Sequence, residues 1–254
     1  MATPSSPLKA LFIDLSGVLY DGQSVVPGAT EAIALARKKG LTLRFVTNTA
    51  TKSRDTILDK LAGMGFSVQA EELFTAPDAA LTYLQAHHLS PYALVHPSIK
   101  PLFDAEANDK PNCVVLGDAR EDLNYPNLNQ AFRHTMQCRR LIAIGDNKYF
   151  SDEGQLCLDA GPFVRAIAWA SDVEPVIMGK PSRAFFDQVV ASTEAEPYQC
   201  LMIGDDVFGD VEGALNTGLQ ARLVKTGKYR TGDECKINPA ANTLNSIADL
   251  DTLL

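Results

Sequence analysis

The sequence lacks any uninterrupted apolar run near the roughly 20 residues needed to cross a bilayer, so no membrane-spanning helix is expected. Its opening, Met1-Ala2-Thr3-Pro4-Ser5-Ser6-Pro7, has neither the basic start nor the apolar stretch of a secretory signal. Cysteine is sparse: Cys113, Cys138, Cys157, Cys200 and Cys235 are odd in number and form no C-x-x-C pair. That pattern excludes a zinc ribbon, and it fits reduced thiols in a cytoplasmic protein better than a disulfide framework. Basic charge is also short, with 23 Lys and Arg against 31 Asp and Glu and a net charge of -8. A nucleic-acid partner would need clustered positive charge, and none is expected here. No solenoid-type repeat and no low-complexity tract is present.

What remains is an ordinary globular composition, 46% hydrophobic and 21% charged over 254 residues, enough for one large domain or two smaller ones. Apolar runs alternate with helix-like stretches, which points to an α/β fold. Lys9–Leu15 and Leu41–Val46 read as buried strands, joined by a helix over Ala29–Lys39 that Gly40 stops. Ser53 is placed to cap a helix running to about Met64, with Gly65 ending it. Near the C-terminus, Gln199–Ile203 and Leu219–Val224 read as strands, with Asp210–Asn216 as a helix between them. Strands are also expected at Tyr92–Val95, Cys113–Leu116 and Leu141–Ile144, in the middle of the chain. The predicted organisation is a core split into residues 1–77 and 177–254, with residues 78–176 inserted as a second α/β domain; Pro77 and Pro175 are plausible hinge markers.

Four short segments carry the chemistry: Asp14-Leu15-Ser16-Gly17-Val18, Val46-Thr47-Asn48, Gly179-Lys180-Pro181, and Gly204-Asp205-Asp206-Val207-Phe208-Gly209-Asp210. Three of them follow an apolar run, and the carboxyl ends of parallel strands are where such sheets bind ligands. Asp14 after a buried strand can act as a nucleophile and accept a phosphoryl group. Alone, it would be read as a turn cap. Asp14 and Asp205, with the carbonyl of Ser16, offer the hard oxygens that Mg²⁺ takes. A helix start enriched in acids explains one Asp easily but three poorly. Asp210 is better placed to orient Lys180 or a metal-bound water than to touch a metal. Thr47 and Asn48 offer neutral donors to phosphate oxygens, and Lys180 can neutralise charge there. Each of these taken singly is more often a turn or a solvated surface residue.

In combination and in this order, the four segments resemble the motifs of the haloacid dehalogenase superfamily of aspartate-nucleophile phosphatases. The inserted middle domain is similar to the large α/β cap of the branch that includes the nitrophenyl-phosphatase-like proteins. The resemblance covers nearly the whole chain after Lys9 and implies a Rossmann-like doubly wound parallel-sheet core with an inserted cap. It implies Asp14, Lys180 and Asp210 as catalytic residues, with Asp14, Ser16, Thr47, Asn48 and Lys180 binding the phosphorylated substrate. Asp14, Ser16 and Asp205 would hold Mg²⁺, supported from outside by Asp206 and Asp210. It further implies small phosphorylated substrates, with protein phosphohistidine or phospholysine among the candidates, and a homodimer joined through the cap.

Ser16 departs from the family pattern, which has a general acid/base Asp two residues after the nucleophile. A hydroxyl cannot replace a carboxylic acid as a proton donor near neutral pH, and general acid–base catalysis typically supplies about 10²–10⁴-fold. Pyrophosphate, acyl phosphates, aryl phosphates and phosphoramidates whose nitrogen is already protonated have leaving groups that depart more easily, and are therefore the expected substrates. Asp21 is a candidate substitute acid, although a turn role fits it better. The cap loop Gly145-Asp146-Asn147-Lys148 is a candidate for leaving-group contact, and His87 and His88 are assigned no role. The alternative reading is a catalytically weak phosphate- and metal-binding regulatory protein; a mutase or dehalogenase is a third.

Overall fold

A computed structural model describes residues 8–152 and 155–254; the polar lead Met1–Pro7 lies outside the described residues. The chain divides into two compact units, one of Met1–Thr47, Leu58–Phe74 and Lys180–Leu254, the other of Asn48–Ile57 and Thr75–Gly179.

The first unit is built on a six-stranded sheet in the order Thr243–Leu244, Gln220–Val224, Cys200–Gly204, Ala10–Asp14, Thr42–Thr47, Leu73–Thr75. Every residue of Ala10–Asp14 and of Cys200–Gly204 is buried, as expected for strands covered on both faces. These two run parallel with Ile13 opposite Ile203, and Ala10–Asp14 also runs parallel to Thr42–Thr47 with Asp14 opposite Val46. The chain thus winds outward from Ala10–Asp14 on one side and returns on the other. This reversal of strand order opens a crevice at the carboxyl ends of the central strands. The helix Ala29–Lys38 packs Ala29, Ala32, Ile33 and Ala36 inward and ends at Gly40, whose φ of 77° a glycine adopts without strain.

The second unit has its own four-stranded parallel sheet in the order Val176–Ile177, Leu141–Ala143, Cys113–Leu116, Pro91–Leu94. Val114, Leu116, Leu141 and Ala143 form a core with Val164 and Ile167 of the helix Ala160–Ser171. An antiparallel pair, Tyr149–Asp152 with Gln155–Leu158, follows the third strand of this unit in sequence. Pro77 stands in the first turn of the helix Ala76–Ala86, which Thr75 caps by accepting from Asp78 N at 3.2 Å.

One element differs in kind from its sequence reading. A helix is expected to begin at Asp210, but the turn begins at Val207 and runs to Glu212 as a wide, π-type turn before Gly213–Asn216. Asp206 forces this start: its Oδ1 accepts from Phe208 N at 3.1 Å and Gly209 N at 2.9 Å. Its carbonyl accepts from both Asp210 N and Val211 N. Such wide turns concentrate at functional sites, and this one carries Asp210 back toward the strand end.

Candidate active site

Asp14 is the last residue of a fully buried strand and is itself only 8% exposed. The turn after it is tight: Gly17 N donates to the Tyr20 carbonyl at 2.7 Å, and Gly17 has a φ of 85°. On the neighbouring strand, Gly204 sits in register one residue past Ile203, so Asp205 leaves the sheet beside Asp14. Lys180 Nζ donates to Asp14 Oδ1 at 2.5 Å and to Asp210 Oδ1 at 2.6 Å, and all three side chains are buried. Asp210 Oδ2 accepts from the backbone N of Asp206 at 3.1 Å. A Cβ on Gly204 would lie 2.1 Å from that same oxygen, so only glycine lets Asp210 fold back over the strand end.

Asp14, Asp205 and Asp210 each offer an oxygen, and these oxygens lie within 4.8 Å of one another. Three carboxylates thus face one ammonium in a buried space, an excess of negative charge that a divalent cation would offset. Asp205 divides its two oxygens. Oδ2 accepts from the backbone N of Lys228 at 2.7 Å, while Oδ1 is buried with no hydrogen-bond partner among the described residues. An orphaned buried carboxylate oxygen beside a second carboxylate fits a hard cation such as Mg²⁺, which takes oxygen ligands. Asp210 fits that role less well, since Lys180 and Asp206 N already engage its two oxygens.

The electrostatics follow from burial and crowding. Burial pushes the Asp205 carboxyl up to about 7, reinforced by the charge on Asp14. Burial also raises Asp210, against the pull of Lys180. For Lys180 burial alone would act downward, but the charges of Asp14 and Asp210 outweigh it and hold the ammonium above its ordinary value. Asp206 is held low despite burial, because Lys228 lies opposite it at 3.2 Å.

The Asp205 shift has a testable sign. The folded state keeps this proton up to about pH 7, whereas the unfolded carboxyl releases it near the ordinary value of 3.8. Between those limits the folded state binds more protons, so this group's contribution to stability falls as pH rises. In chelator, Asp205→Asn is expected to be more stable than wild type at about pH 8, by about 2–4 kcal/mol. The gap should close as pH falls toward 4. Denaturant melts at several pH values check this, and a pH-independent gap would contradict it.

The other expected residues fall into distinct places. Thr47 ends the strand Thr42–Thr47, one residue beyond the partner of Asp14, and is buried. Asn48 begins the second unit, where its Oδ1 lies against Gly179; a Cβ there would come within 3.0 Å. Ser16 is exposed on the turn after Asp14, in a bridge with Tyr20. Asp21 is exposed in the small hairpin Tyr20–Asp21 with Ser24–Val25, which gives it a turn setting. In the cap loop, Asp146 is paired with Arg165 and the Lys148 carbonyl accepts from Asp159 N at 3.2 Å. His87 ends the helix Ala76–Ala86, with its ring 4.2 Å from that of Tyr83. Missed by the sequence reading is the segment Thr226-Gly227-Lys228, whose backbone closes on Asp205. Its one signal is position, since it follows a core strand at the same carboxyl edge.

Comparison with known proteins identifies the family. A model described as haloacid dehalogenase-like hydrolase matches residues 11–110, and one described as HAD-hydrolase-like matches residues 177–250. The chain is 42% identical over 233 residues to haloacid dehalogenase-like hydrolase domain-containing protein 2 of Bos taurus, covering 92% of this chain and 90% of that protein. It is 38% identical over 234 residues to phospholysine phosphohistidine inorganic pyrophosphate phosphatase of Danio rerio, covering 90% and 87%. Among solved structures, 4-nitrophenylphosphatase from Thermotoga maritima superimposes with a TM-score of 0.88 at 22% identity, over 96% of this chain and 97% of that one.

Proposed function

The chain belongs to the haloacid dehalogenase-like hydrolases and is a phosphatase, and we propose that Asp14 is its nucleophile, with Mg²⁺ held by Asp14, Asp205 and the Ser16 carbonyl. One observation carries this reading: a single buried ammonium, Lys180, spans Asp14 and Asp210. A cation in that position pairs with Asp14 inside the protein and holds its side chain in place for attack. Asp210 fixes the ammonium from the other side.

In the first step an Asp14 carboxylate oxygen attacks phosphorus, the bond from phosphorus to the leaving group breaks, and an aspartyl-phosphate forms on Asp14. In the second, water attacks that phosphorus and returns Asp14 and inorganic phosphate. Lys180 neutralises charge on the transferred group throughout, while the Thr47 hydroxyl and the Asn48 amide hold its oxygens. When bound, Mg²⁺ offsets the repulsion between Asp14 and the phosphate and stabilises charge on the transferring oxygens.

Ser16 sets the substrate class. With a hydroxyl where a carboxylic acid would protonate the leaving group, the enzyme favours bonds that break without that proton. Pyrophosphate qualifies, as do P–N bonds such as those of phosphohistidine and phospholysine when the leaving nitrogen is already protonated in the substrate, in keeping with the name of the Danio rerio relative. The test is phosphate release from pyrophosphate, an aryl phosphate, a phosphoramidate and a sugar phosphate, with Mg²⁺ present or chelated. The sugar phosphate is expected to be slowest. Ser16→Asp is expected to raise it relative to pyrophosphate by about 10²-fold, the low end of what general acid catalysis supplies. Faster turnover of the sugar phosphate than of pyrophosphate by wild type would contradict the substrate reading. No release from any member would favour a regulatory protein that binds phosphate and metal.

A further inference from the structure

We propose that Thr226, Gly227 and Lys228 act as a positioning clamp that seats one oxygen of Asp205 so that the other is presented to the metal. The proposal rests on the Mg²⁺-dependent reading above and extends it to residues outside the four motifs. The segment follows the strand Gln220–Val224, which lies beside Cys200–Gly204 in the sheet, so its backbone meets the Asp205 strand end from the flank.

Three backbone groups surround Asp205 Oδ2. Lys228 N donates to it at 2.7 Å. A Cβ on Gly227 would stand 2.2 Å from it, and one on Gly17 2.0 Å from it. Both glycines hold positive φ, 61° and 85°, so neither position accepts a side chain without displacing the carboxylate. With Oδ2 enclosed, Oδ1 is the atom left buried without a partner among the described residues. Thr226 completes the arrangement: its Oγ1 donates to the Gly17 carbonyl at 2.5 Å, across 209 positions of sequence. That bond ties the turn carrying Ser16 to the segment that holds Asp205, so two arms of the metal site share one latch.

The Lys228 ammonium is not the working part. Its side chain is 68% exposed and meets Asp206 at 3.2 Å, and solvent screening leaves such a pair little energy. The clamp acts through the Lys228 amide, the two glycines and the Thr226 hydroxyl. Residues that orient metal ligands in this way typically change metal affinity by about 10–100-fold when altered.

The experiment is calorimetric titration of the purified full chain with Mg²⁺ alone, without substrate. Thr226→Val should weaken Mg²⁺ binding by about 10-fold or more, and Thr226→Ser, which keeps the hydroxyl, should restore it. Thr226→Ala carries the same expectation should the valine variant not fold. Asp205→Asn serves as the reference for a lost ligand. Affinity of the Val or Ala variant within about twofold of wild type overturns the clamp while leaving the phosphatase reading intact. Failure of wild type to bind Mg²⁺, or binding unaffected by Asp205→Asn, overturns both.

Discussion

Replacing Asp14 by Asn is expected to reduce Mg²⁺-dependent phosphate release by on the order of 10⁴-fold or more, the scale seen when a covalent nucleophile is removed. The amide matches the carboxylate in shape, so the strand end and the turn at Gly17 keep their geometry. What disappears is the atom that bonds to phosphorus, together with one charge that orders Lys180. The fold should not suffer: Asp14 is one of three clustered buried carboxylates, and removing one relieves repulsion. In chelator the variant should melt no lower than wild type. Loss of activity with stability retained separates a chemical role from a structural one. Near wild-type turnover by the Asp14→Asn enzyme would mean that the nucleophile lies elsewhere.

The largest stability effect is expected at Lys180. Its side chain, 6% exposed, is the shared partner of Asp14 and Asp210. Lys180→Met leaves both carboxylates buried and uncompensated, a situation that costs about 3–5 kcal/mol. For a chain of this size that corresponds to a melting temperature lower by about 6–20 °C. The loss should be greatest at neutral and alkaline pH and shrink as acid protonates Asp210, whose carboxyl burial pushes upward. Asp210→Asn added to Lys180→Met should recover part of the stability, because it removes one stranded charge. The double-mutant cycle would then be strongly non-additive. Additive effects would show that Lys180 and Asp210 do not work as a pair.

Much of this site is legible in the sequence because strand ends are legible. Apolar runs such as Ala10–Ile13 and Cys200–Ile203 read as interior strands, and in a parallel sheet the polar residues that end them share one edge. The juxtaposition of Asp14 with Asp205 follows from that rule, and Lys180 from the order of segments. Other parts have no sequence signature. The Lys228 amide that holds Asp205 belongs to the backbone, which every residue carries, so only three-dimensional proximity distinguishes it. The wide turn over Val207–Glu212 depends on Asp206 accepting from two backbone amides at once, a choice that helix propensity does not encode. Gly17 and Gly227 lie 210 positions apart in the sequence, and their closeness to one carboxylate appears only when the strands are assembled.

Chemical trapping of the phosphorylated enzyme tests the nucleophile most directly. Wild-type protein is mixed with a turning-over substrate and Mg²⁺, quenched in acid, and treated with borohydride, which reduces an acyl phosphate to an alcohol. Peptide mass analysis should then find homoserine at position 14, in wild type with substrate and in neither the substrate-free control nor Asp14→Asn. Phosphate release with Asp14 unmodified, or with the reduced residue at another carboxylate, would contradict Asp14 as the residue that carries the phosphoryl group.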